Sequence, residues 1–285
     1  MKAILLRNAL TFGALTLSMT TISCSKKSMD LGSDNQLEAG ALRANFNSMS
    51  SSVGDTLLNV NYETGTLSSG ITGVTGTYAS AADAAYMVQP GATGSYAIAH
   101  KIVHGDSSYY SAGNWRSESD ADYAANARFL PGQERRYEFS VLLKDWTLNA
   151  TDPTEGNLFQ LKQTGTNGVP LQVRTMRNAI VLRFDQTNNQ ANVTILPGAQ
   201  QYVNKWIHFR VDVLWTQTAT GYMKTYMKLP GESSYTLKDS KINYTTYTAN
   251  ALNGQHGYIK WGLYIIPTNT TRVVYHDDIR IIALN

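Results

Sequence analysis

From residue 56 onward, apolar and polar side chains alternate with period two in short runs. The clearest is Gly257-Tyr258-Ile259-Lys260-Trp261-Gly262-Leu263-Tyr264. As a strand it puts Ile259, Trp261 and Leu263 on one face and Tyr258, Lys260, Gly262 and Tyr264 on the other. The first face suits a core. The second carries two phenols and an amine, with a glycine that leaves room for a ligand. Similar runs fall at 96–104, 136–143, 158–162, 171–175, 179–184, 206–215, 222–227 and 273–282, separated by Gly, Asn, Asp, Thr and Pro clusters. The pattern predicts an all-β protein, a jelly-roll sandwich of two antiparallel sheets with about a dozen strands. One short helical turn is expected at 79–85. No internal repeat or second domain is apparent.

The first 55 residues read differently. Residues 1–23 have a basic start (Lys2, Arg7) and then an apolar run, the pattern of a secretory signal peptide. Cys24, the only cysteine, follows at once and resembles the lipid-attachment site of a bacterial lipoprotein. Residues 24–55 would then be a lipidated cysteine and a polar, flexible tether. That leaves 56–285 as one domain with one core. This predicts an exported lipoprotein of the outer membrane, cell surface or periplasm, touching membrane only through its lipid. The net charge of +3 falls to +1 without Lys2 and Arg7. Cations are scattered, so the chain has no nucleic-acid footprint and no global steering toward polyanions. Tyrosine outnumbers phenylalanine 17 to 7, which favours a wet groove that stacks sugars.

Candidate chemistry sits on four segments. In Asn114-Trp115-Arg116-Ser117-Glu118, Asn114, Arg116 and Glu118 share a face; Glu118 can orient Arg116, whose fork suits a carboxylate. In Gln160-Leu161-Lys162, the amide and amine share a face. His100 and His104 alternate along 96–104 and could titrate near neutrality. Glu63 and Asp278, on terminal strands expected to lie side by side, could bind a structural calcium through hard oxygen ligands. Each segment also has a bland reading as a solvated or ion-paired strand face. Phosphate loops, zinc helices and nucleophile elbows are absent from the sequence.

In chain order, Arg116-Ser117-Glu118, Gln160-x-Lys162 and Tyr258-x-Lys260-x-Gly262-x-Tyr264 resemble the signature strands of jelly-roll polysaccharide lyases. That superfamily includes alginate, heparin, glucuronan and ulvan lyases and has a concanavalin-like fold. Arg136-Tyr137-x-Phe139-Ser140, Trp206 and Tyr275-His276-Asp277-Asp278-Ile279 add to the resemblance, which spans roughly 58–283. It implies β-elimination on an anionic, uronate-containing polysaccharide by a monomer needing no catalytic cofactor. Arg116, Gln160, Lys162 and Tyr264 would be catalytic. Glu118, Asn114, His100, His104, Arg174, Tyr258 and Lys260 would bind substrate. Alginate and heparin lyases carry histidine where this chain has Lys162, which leaves Lys162, Tyr264, His100 or His104 as base. The lysine looks closer to ulvan lyases, and Arg174 and Lys260 would suit a sulfate. The alternatives are a non-catalytic carbohydrate-binding surface lipoprotein, or a lyase acting on alginate, glucuronan or a heparin-like glycan. A jelly-roll hydrolase is disfavoured, because two facing carboxylates are lacking.

Overall fold

The computed structural model describes residues 51–285 except 149, 152, 154, 155, 167, 187 and 188. Cys24 and nearly all of the expected tether lie outside the described residues. Among the described residues, fifteen strands form two antiparallel sheets. They are β1 (Thr56–Val60), β2 (Ala85–Val88), β3 (Ala97–Val103), β4 (Tyr110–Ser111), β5 (Asn114–Asp120), β6 (Glu134–Lys144), β7 (Asn157–Gln163) and β8 (Val169–Met176). The rest are β9 (Ala179–Gln186), β10 (Asn189–Pro197), β11 (Ile207–Leu214), β12 (Gly221–Lys228), β13 (Thr236–Tyr244), β14 (Gly257–Tyr264) and β15 (Thr271–Ala283). One sheet runs β13-β12-β11-β6-β15-β3-β2, with β1 also on β15; the other runs β10-β9-β8-β7-β14-β5-β4.

Inward positions of both sheets form one core. Phe139 stacks on Phe159 across the layer at 3.9 Å, and Phe129 on Trp215 at 3.8 Å. The indole N–H groups of two core tryptophans find acceptors: Trp215 donates to Tyr137 Oη (2.8 Å) and Trp261 to Tyr62 Oη (2.9 Å). Such pairing removes the penalty of burying them. The expected face assignment on β14 holds, with Ile259, Trp261 and Leu263 fully buried. The terminal strands pair as expected, Val60 opposite Ile279. The expected helical turn at 79–85 is an irregular turn leading into β2. Among the described residues, helix is confined to four 3₁₀ turns of three or four residues.

Candidate active site

The outer face of the seven-stranded sheet forms a groove of about 510 Å³. Its lining includes Arg116, Asn157, Gln160, Lys162, Gln172, Arg174, Arg183, Tyr258, Lys260 and Tyr264. Thus Arg116 and the three other side chains expected to be catalytic converge from β5, β7 and β14. Register explains the convergence: β14 lies between β5 and β7, with Tyr264 opposite Arg116 on one side and Lys260 opposite Gln160 on the other. Lys162 faces Tyr258 across the β7–β14 pair.

Glu118 is the electrostatic hub. It is 3% exposed and accepts from Gln160 Nε2 at 2.6 Å and Lys260 Nζ at 2.8 Å. Arg116 Nη1 is 4.0 Å from it, and Arg116 Nη2 donates to Ala112 O at 3.1 Å. The expected Glu118–Arg116 clamp is therefore the loosest of three contacts. Lys260, expected to face a sulfate, spends its charge on Glu118. The Arg116 guanidinium lies 4.8 Å from the Tyr264 ring centre, and Asn114 Nδ2 donates to Tyr264 Oη at 3.1 Å. Lys162 Nζ makes a long bond to Thr166 O, 3.4 Å. Tyr258 is held neutral well above the usual phenol range, by burial first and then by the charges of Asp122, Asp120 and Glu118. Burial, and then the neighbouring Arg183, depress Arg174.

Three expectations need correction. His100 is fully buried; its Nε2 lies 3.0 Å from Ser119 Oγ and 3.3 Å from Gly76 O, beneath Gly262. Desolvation lowers its pKa to about 4. Its strand, β3, belongs to the other sheet, so the shared face of 96–104 points into the core. His104 stacks on Trp115 at 4.0 Å and does not line the groove. Gly262 does not leave room for ligand. Its φ is +135°, and a Cβ there would meet Ser117 O at 2.4 Å and Glu118 Cα at 2.7 Å. It is glycine because β5 crosses so closely.

Glu63 and Asp278 both hold the loop before β3. Glu63 Oε1 accepts from the Ser95 and Tyr96 amides at 2.9 and 3.0 Å, and Asp278 Oδ1 from Thr93 Oγ1 at 2.7 Å. Among the described residues no three carboxylate, imidazole or thiol groups converge as metal ligands. Both carboxylates are thus engaged by donors of the loop they hold.

Asn157, Gln172 and Arg183 were missed by the period-two reading. Asn157 should share the core face with Phe159. Irregularities in both the β7–β8 and β7–β14 pairings shift the register beside it and turn its side chain to the groove. Arg183 and Gln172 follow from register alone, being cross-strand partners of each other and, through Gln172, of Gln160.

A jelly roll with cations, amides and a phenol gathered on one sheet defines a protein built to hold an anionic polymer. The sequence profile of the polysaccharide lyase family matches residues 62–280, and the chain belongs to that family. It is therefore a polysaccharide lyase. Similar solved structures include the endo-β-1,4-glucuronan lyase of the fungus Trichoderma reesei, with 18% identity and TM-score 0.51 over 70% of this chain and 87% of that one. The marine PL-14 alginate lyase of Aplysia kurodai has 11% identity and TM-score 0.55 over 80% and 99%. The binding domain of Paraclostridial Mosquitocidal Protein 1 has 16% identity and TM-score 0.51 over 81% and 50%. These likenesses establish the fold. No curated protein sequence matches.

Proposed function

We infer that the protein cleaves a uronate-containing polysaccharide by β-elimination. What supports this is that Arg116, Gln160, Lys162 and Tyr264 all line one groove. The C5 proton of a uronate is too weakly acidic while its carboxylate keeps a full charge. Arg116 and the groove amides neutralise that carboxylate as negative charge moves into it, and a donor aimed at developing charge contributes about 3 kcal/mol. Lys162, as the neutral amine, removes the C5 proton. The electron pair becomes the C4–C5 double bond, the C4–O bond breaks, and Tyr264 donates its proton to the leaving oxygen. Solvent exchange returns a proton from the ammonium to the phenolate. Proton transfer of this kind contributes about two to four powers of ten in rate.

Ulvan, which alternates sulfated rhamnose with uronic acid, is the favoured polymer. Arg174 and Arg183 line the same groove as the carboxylate site, where their guanidinium groups suit a sulfate. The protein would act as an exported lipoprotein anchored through Cys24, an anchor that intact-mass measurement of the mature chain would reveal. The functional test is ultraviolet absorbance during incubation with ulvan, alginate, glucuronan and heparin. A rise with ulvan alone supports the whole reading. A rise only with another polymer corrects the substrate. Flat traces with tight glycan binding replace the lyase reading with a binding module.

A further inference from the structure

Asn157 lines the groove at 3% exposure, yet neither its Oδ1 nor its Nδ2 has a hydrogen-bond partner. A buried amide left unsatisfied is costly, and such groups are retained where something outside the fold satisfies them. Its cross-strand neighbours are Tyr264 on β14 and Arg174 on β8. Arg116 lies on the far side of Tyr264. Asn157 and Arg116 therefore flank the phenol in one row across the sheet. Gln160 is differently placed. Its Nε2 already donates to Glu118 at 2.6 Å, inside a buried network that also holds Lys260.

We propose that Asn157 is the amide that donates to the substrate carboxylate during elimination, opposite Arg116, and that Gln160 is a positioning residue that fixes Glu118. The proposal rests on the elimination reading above. It assigns the carboxylate donor to an amide whose polar atoms are buried at the groove wall and unpartnered, rather than to one committed to a protein carboxylate. Nδ2 serves the substrate carboxylate, whose charge grows as the C5 proton leaves. Oδ1 then faces a sugar hydroxyl, the donor that an amide oxygen requires. The irregular pairing at Asn157 has a purpose on this account: it turns toward the groove wall a side chain that regular pairing would turn into the inter-sheet core.

The test compares wild type with Asn157→Ala and Asn157→Asp on whichever polymer of the panel wild type degrades, with thermal unfolding of each. Asn157→Ala is expected to lower kcat about 100-fold. Its unfolding temperature should stay level or rise, because an unsatisfied buried group has gone. Asn157→Asp should be slower still, since it sets a second anion against the substrate carboxylate. A kcat for Asn157→Ala within threefold of wild type overturns the proposal, as does a loss that merely tracks lost folded protein. No turnover by wild type on any polymer overturns the elimination reading instead. The contact is then read by calorimetric binding of a glucuronate tetrasaccharide. Asn157→Ala must weaken that binding at least tenfold, and equal binding overturns the contact.

Discussion

The Asn114 amide donates to the Tyr264 phenol oxygen at 3.1 Å. Because that oxygen already accepts from the protein, the phenol's own proton is left for another acceptor, and Tyr264 lines the groove. Tyr264→Phe keeps the ring under the Arg116 guanidinium and removes only the proton. Turnover should fall by about two to four powers of ten with unfolding temperature little changed. Asn114→Ala should cost less, about tenfold, because it frees the phenol's orientation without removing the acid. Initial rates from product absorbance on the degraded polymer check both, and near-normal turnover in Tyr264→Phe would sink the acid assignment.

Glu118 holds the groove floor together. It is buried and compensates Lys260, itself buried, while fixing the Gln160 amide. Removing one partner strands the other as a buried charge, a loss of about 3 kcal/mol or more. Glu118→Gln should lower the urea midpoint accordingly, and adding Lys260→Met should recover much of the loss. If the double variant is no more stable than the single one, the ion pair is not what Glu118 contributes.

Gly262 makes a sharper stability prediction. At φ +135°, with Ser117 O 2.4 Å from where a Cβ would stand, Gly262→Ala must move β5 or β14. We expect a destabilisation of about 2 kcal/mol or more, combining backbone strain with overpacking. The same shift would displace Glu118, so turnover should fall too. Denaturant unfolding of Gly262→Ala within about 0.5 kcal/mol of wild type would show that the strands slip apart at little cost.

Local alternation made much of the site legible. The β14 faces, Arg116 with Glu118, and Gln160 with Lys162 all followed from period two, because those strands are regular on the side that matters. Alternation says which residues share a face, and it leaves open which sheet a strand joins. His100 was misread for that reason: β3 pairs with β2 and β15, a long-range fact, so its histidine face is the inter-sheet layer. Asn157 was missed because a pairing irregularity reverses parity at the start of β7. Nothing in Gly156-Asn157-Leu158 marks that irregularity by itself. Gly262 was read as room for a ligand, but its cause is the Ser117–Glu118 backbone, about 145 residues earlier in the chain, which no local pattern encodes.

The buried histidines give the fold a pH dependence that can be signed. His100, ordinarily near 6.5, is lowered to about 4 by desolvation, and His276, whose ring centre is 5.6 Å away, is lowered by burial and by His100. Above about pH 6.5 these imidazoles are neutral in both states and impose no penalty. As pH falls below that, the unfolded chain binds protons that the fold refuses, so stability drops until the folded pKa is reached. For His100 the full loss is on the order of 3 kcal/mol. Asp277 works in the opposite direction. Burial, and then Asp278, raise it to about 7, so the fold holds its proton and loses stability as pH rises from about 4 to 7. The raw profile of wild type mixes both signs, and the informative quantity is a difference between variants. His100→Gln keeps an amide that can reach Gly76 O and removes one titration. Urea unfolding at steps from pH 4.5 to 7 should give the variant a less positive slope of stability against pH, by up to one proton. Parallel profiles would mean that His100 already binds its proton within the fold, which a fully buried imidazole among hydroxyl and carbonyl groups should not do.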